Sequence, residues 1–157
     1  MKFLPLKEFD KHRKSIHSES TQTLMKYILE IKSSIIEQKK QAKKLKEFGN
    51  FAYSQKKYDV AEKYYSEAIE LNRGCRLLWT NRAACRNTMK KYEEALSDCE
   101  TALFIDPKCS RTIAQKGNAL LNLGRFEEAK ESFESLNSLG ASASADKHMK
   151  KLHDVQE

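Results

Sequence analysis

The sequence predicts an all-α fold of three consecutive 34-residue units, with an N-terminal helical arm before them and a short capping helix after them. Two observations predict it. Residue types recur at an interval of 34 in four separate registers without a gap, the mark of a repeat architecture. In addition, two prolines and five glycines are the only strong breakers in 157 residues, so the helices are long and the turns between them short.

The registers define the units. Tyr58, Tyr92 and Phe126 form an aromatic register, and Ala61, Ala95 and Ala129 a small one. Gly49, Ala83 and Gly117 are also small, whereas Leu45, Trp79 and Ile113 are large and apolar. Small residues at fixed places let one helix approach the next, and large ones fill what space remains. The units run 42–75, 76–109 and 110–143, each holding two helices of roughly 12–14 residues. Turns are expected near Ser54–Lys57, Arg73–Gly74, Met89–Lys91, Asp106–Pro107 and Leu123–Arg125, and Gly124 and Gly140 suit helix C-termini.

This large–small–small–aromatic order over about two thirds of the chain resembles the tetratricopeptide repeat family. The resemblance implies helix–turn–helix repeats wound into a right-handed superhelical array, whose first helices line a concave peptide-binding groove. The stretch Tyr92-Glu93-Glu94-Ala95-Leu96-Ser97-Asp98-Cys99-Glu100, with Asp106-Pro107-Lys108-Cys109, further resembles tetratricopeptide co-chaperones of dynein-arm assembly.

In residues 1–41, Leu24, Ile28, Ile31 and Ile35 recur at spacings of four, three and four, one stripe of a helix. Ser20 is a candidate N-cap. The arm helix either runs into the first repeat helix or breaks near Gln38–Gln41. The stripe suits a cap on the array, or self-association or docking of a partner helix through residues 20–40. Phe3, Leu4, Leu6 and Phe9 lie among charges before it. After the alanine–serine joint at 141–145, Met149, Leu152 and Val155 recur at spacing three, as a helix covering the last repeat does.

Composition narrows the function. No apolar run approaches the ~20 residues that span a bilayer, and the first residues are too short an apolar run for a signal peptide, so a cytoplasmic or nuclear place is expected. Cys75, Cys85, Cys99 and Cys109 form no C-x-x-C pair, and no histidine stands at zinc-finger spacing, so no metal or cofactor is expected. His12, His17, His148 and His153 sit in the flanks, and no nucleophile–base motif, P-loop or G-x-G-x-x-G is present, so no enzymatic role is expected. The net charge of +7 favours acidic partners. The basic run Lys39, Lys40, Lys43, Lys44 and Lys46 reads as a solvated helix face that steers acidic tails; no nucleic-acid reader accompanies it.

Five residues of the first helices carry the binding expectation: Lys46, Asn50, Asn81, Arg111 and Gln115. Lys46 and Asn50 are four apart and share a face, as do Arg111 and Gln115. Two cations and three amides on stacked helices suit anion capture, and a peptide ending in aspartate presents two carboxylates to such a set. The set resembles the two-carboxylate clamp of co-chaperones such as the heat-shock organising protein, which hold the Glu-Glu-Val-Asp tails of seventy- and ninety-kilodalton heat-shock chaperones. The family pattern is Lys, Asn, Asn, Lys, Arg. Lys46, Asn50 and Asn81 match it, Arg111 keeps the charge of a lysine, and Gln115 departs from an arginine. Losing one charge-assisted bond costs on the order of 1.5–3 kcal/mol, or roughly ten- to a hundredfold in affinity.

Overall fold

A computed structural model describes residues 6–156, with side-chain surroundings given between residues 18 and 153 apart from 142 and 144. Phe3 and Leu4 lie outside the described residues, as do the side chains of Leu6, Phe9 and Val155. Among the described residues seven helices follow one another: α1 Leu6–Ser54, α2 Tyr58–Leu71, α3 Arg76–Thr88, α4 Tyr92–Ile105, α5 Ser110–Asn122, α6 Phe126–Ser138 and α7 Ser142–Gln156. Among the described residues there is no strand. Among the described residues no helix is long and apolar enough to cross a membrane.

The chain divides into two compact units, Met1–Lys39 and Lys40–Glu157. In the first, the helix begins well before Ser20, which is therefore interior and not an N-cap. The reason is local. From Leu6 to Ser54 there is no proline, and Thr21 and Thr23 turn their hydroxyls back onto the carbonyls of Ser18 and Glu19, so they do not compete for an early stop. The helix also continues through Gln38–Gln41 without a break. Leu24, Ile28, Ile31 and Ile35 are each 44–58% exposed.

In the second unit, helix pairs stack in chain order, each helix packing on the next from α2 to α7, and α3 also touching α5. The turns after α1, α3, α5 and α6 share one device. Lys56, Lys90, Gly124 and Gly140 all adopt the left-handed region, with φ of 59°, 62°, 75° and 75°. Each lies just past a helix C-terminus, where that conformation lets backbone amides bond the last carbonyls. Two of the four positions are lysine, which pays a steric penalty that glycine does not.

Close approach explains the small registers. A Cβ on Gly49 would stand 2.6 Å from the ring of Tyr65, and one on Gly117 would overlap the ring of Phe133. Tyr65 and Phe133 are fully buried and lie two periods apart, with Cys99 at the same register in the middle unit. There Ala83 replaces glycine, and the smaller Cys99 replaces the ring; both are 0% exposed. The register of Tyr58, Tyr92 and Phe126 behaves differently. These residues are the first of α2, α4 and α6 and only half-buried, and Tyr53 meets Tyr58 edge-on at 5.2 Å across the turn. They close the turns, while Tyr65 and Phe133 fill the interior.

Polar groups pin the interior as well. Asp98, 2% exposed, accepts 2.7 and 2.9 Å hydrogen bonds from Arg82 and a 2.9 Å bond from Arg86. Arg86 also donates to Glu62 at 2.7 Å, and Lys91 donates to Glu62 at 2.8 Å. One network thus ties α2, α3 and α4. The buried hydroxyls of Thr80 and Thr112 meet at 2.7 Å between α3 and α5. At the far end Ala145 and Leu152 of α7 are buried in the core of the last repeats, with Met149 packed against it.

Candidate functional site

The first helices of the three repeats, the last part of α1 together with α3 and α5, border a cavity of about 370 Å³. Its lining is Lys46, Asn50 and Tyr53 from α1, Leu77, Asn81 and Ala84 from α3, Arg111 from α5, and Tyr65 from α2. Helical spacing accounts for the choice. Lys46, Asn50 and Tyr53 recur at four and three, and Leu77, Asn81 and Ala84 at the same interval, so each triplet faces one way. Four of the five residues singled out in the sequence, Lys46, Asn50, Asn81 and Arg111, therefore meet at one cavity. Gln115 is not among its lining.

The amides are oriented by hydrogen bonds. Asn50 Oδ1 accepts from the Tyr65 hydroxyl at 2.7 Å and from Asn81 Nδ2 at 3.1 Å. With its oxygen engaged twice, Asn50 has only its NH2 left to offer. Burial pushes the Tyr65 phenol up to about 12, with the nearby Cys85 thiol adding to the rise, so the hydroxyl stays protonated and remains a donor at neutral pH. Asn81 Oδ1 is buried without a hydrogen-bond partner. An orphaned acceptor of this kind costs on the order of 1–3 kcal/mol.

The cations differ sharply from those of the core. Arg82 and Arg86 are saturated by carboxylates, whereas neither Lys46 nor Arg111 has a carboxylate partner among the described residues. The cavity thus presents two uncompensated positive charges, one on each outer wall, with amide donors between them. That arrangement suits a carboxylate-bearing ligand.

Gln115 is held elsewhere. Asn87 of α3 donates Nδ2 to the Gln115 backbone carbonyl at 3.0 Å and to its Oε1 at 2.9 Å. Lys116 faces a different way, lining a second hollow of about 300 Å³ with Leu103, Pro107 and Ile113. Sequence reasoning did not single out Tyr53, Tyr65, Leu77, Ala84 or Asn87. Tyr65 carried a signal, its register with Cys99 and Phe133, but that register marks packing and not a hydroxyl aimed at Asn50.

No cluster of metal-ligating side chains occurs among the described residues. Burial raises the thiols of Cys85 and Cys99 to about 12, helped by the Glu62 charge at Cys85 and by Asp98 at Cys99, which leaves them protonated packing groups.

Comparison with known proteins agrees with this architecture. Tetratricopeptide repeat models match residues 47–75, 77–109 and 110–151. Protein STIP1 homolog of Dictyostelium discoideum is 39% identical over 99 residues, covering 63% of this chain and 18% of that protein. The chain thus spans about a fifth of the length of this relative. Among solved structures, the second TPR domain of human RPAP3 in complex with HSP70 peptide SGPTIEEVD superposes with a TM-score of 0.69 at 31% identity, covering 76% of this chain and 98% of that one. The first TPR of Spaghetti (RPAP3), bound to HSP90 peptide SRMEEVD, gives 0.71 at 29% identity, covering 75% and 94%. With its 34-residue period, its stacked helix pairs and these matches, the chain belongs to the tetratricopeptide repeat family.

Proposed function

We propose that this chain is a protein–protein interaction adaptor of the co-chaperone type, without catalytic chemistry, that works in the cytoplasm and binds the acidic C-terminal tails of heat-shock protein 70 and 90 chaperones. One observation carries the reading: Lys46, Asn50, Asn81 and Arg111 converge from three helices on a single cavity with both cations uncompensated. In this reading Lys46, Asn50 and Asn81 hold the terminal carboxylate, Arg111 holds the aspartate side chain, and Gln115 contributes at most a neutral amide. The similarity to TPR domains bound to peptides ending in Glu-Glu-Val-Asp supports it.

The test is a titration with a peptide ending in Glu-Glu-Val-Asp as free acid and as C-terminal amide. The free acid should bind at least tenfold more tightly, and more weakly as salt rises. Equal affinity for both would sink the reading, since amidation removes one of the two carboxylates.

A second reading rests on the exposed stripe Leu24, Ile28, Ile31 and Ile35. It makes residues 20–40 a surface for self-association or for a partner helix. Light scattering with and without residues 1–40 separates the two: a mass independent of concentration in both forms removes self-association.

A further inference from the structure

Lys43 lies three residues before Lys46 on α1, about 4.5 Å along the helix axis and on the same side. It is exposed and has no carboxylate partner among the described residues. The 34-residue register places Leu77 of α3 and Arg111 of α5 at its level. Both line the cavity, and Leu77 is 39% exposed. One layer across α1, α3 and α5 therefore runs cation, aliphatic, cation.

The walls of the groove are unequal in charge. On α5, Arg111 stands alone, because the next turn carries the neutral Gln115 with its Oε1 engaged by Asn87. On α1, Lys46 is followed outward by Lys43. The positive charge missing from one wall is present on the other, displaced by a helical turn.

We propose that Lys43 is a specificity-determining residue of this groove: it takes an acidic side chain two or three residues upstream of a bound peptide's terminal carboxylate. An extended peptide advances about 3.3 Å per residue. The ~4.5 Å offset from Lys46, extended by the reach of a lysine side chain, limits the contact to that short stretch. The ligand class is a C-terminal peptide that is acidic before its last residue, read from the α1 wall. The inference rests on the carboxylate-binding reading of the cavity.

The test uses the full chain and three versions of one peptide: ending in Glu-Glu-Val-Asp, ending in Gln-Gln-Val-Asp, and the first as its amide. The wild type should prefer the glutamate peptide to the glutamine peptide by about 1.5- to fivefold, the range of a solvent-exposed ion pair. Lys43→Gln should bind the two alike. Lys44→Gln, about 100° round α1 from Lys43 and turned away from Lys46, should keep the wild-type preference. Retention of the preference in Lys43→Gln, or its equal loss in both variants, overturns the assignment, the latter by showing a general field and no located contact. Binding of the amide as tight as that of the acid overturns the carboxylate reading and this inference together. If amidation abolishes binding while Lys43→Gln keeps the preference, only the inference falls. Circular dichroism of each variant verifies that the helices are intact.

Discussion

At the scale of the residue, the decisive features are which hydrogen-bonding atoms are already engaged and which remain to be offered. Asn50 has spent its oxygen on Tyr65 and Asn81, so its amide nitrogen is fixed as the free donor. Lys46→Ala should weaken binding of the free-acid peptide by tenfold or more in a calorimetric titration, because one charge-assisted bond is lost from a site with two cations. Gln115→Arg should tighten it, by up to roughly a hundredfold if the added guanidinium reaches a carboxylate; an unchanged affinity would show that position 115 does not face the ligand. A different residue effect concerns Lys90, whose φ of 62° places a lysine where glycine is at ease. Lys90→Gly should stabilise the fold by about 0.5–1 kcal/mol, the relief of left-handed strain less the added freedom of the unfolded chain. A urea midpoint that moves down, not up, would contradict it.

At the scale of the element, the repeat helices are held by pairs of residues whose sizes match across a contact. Gly117→Ala brings a methyl group into the ring of Phe133 and should cost about 1–3 kcal/mol in denaturant unfolding. The double variant Gly117→Ala/Phe133→Leu should lose less than the sum of its single variants, since the smaller side chain makes room. The Glu62 carboxylate adds a pH dependence. Burial alone would raise it, but the hydrogen bonds from Lys91 and Arg86, with their charges, outweigh that and hold it below its ordinary value of 4.5. A carboxyl lowered in the folded state stabilises fully above its unfolded value, and that contribution disappears as pH falls through the folded one. Unfolding midpoints should therefore decline as pH drops below about 4.5, and Glu62→Gln should lower stability at pH 7 while flattening this decline. A decline equally steep in the variant would assign it to other groups.

Much at this scale was legible in the sequence, because a period of 34 is a geometric fact that needs no partner to be seen. The turns fall where the breaks in the registers place them, and the alanines 61, 95 and 129 are all wholly buried. What escaped is what depends on pairing across the period. The network of Arg82, Arg86, Asp98 and Glu62 joins residues 12 to 24 apart on three helices, with no register of its own. The same holds for the site. Lys46, Asn50, Asn81 and Arg111 could be named from spacing, but the engagement of Gln115 by Asn87 requires two helices to be in place. Ser20, a serine before an apolar stripe, has the look of a cap, but the proline-free run before it is helical as well and α1 starts at Leu6.

At the scale of the whole molecule, the repeat unit exposes an apolar face at its end, and α7 covers it with Ala145, Met149 and Leu152. Leu152→Ala should destabilise the fold by about 2–5 kcal/mol, the range for a buried leucine truncated to a cavity. Because neighbours in a stacked array stabilise one another, the loss should appear as a lower midpoint for the whole array, followed by circular dichroism, and not as fraying of α7 alone. Two separate transitions would argue against that coupling.

The Gly–aromatic pairing of the outer repeats and the Ala83–Cys99 pairing of the middle one have a consequence for how such a chain diversifies. A first helix transplanted from the first unit to the second would bring a glycine opposite a cysteine and leave a void; the reverse transplant would set an alanine against a tyrosine ring. The three units share a length but are not interchangeable parts. An exchange with the middle unit is viable only when both halves of the hairpin change together, so recombination between the middle unit and either neighbour should succeed at the turns that separate repeats and fail at those inside them.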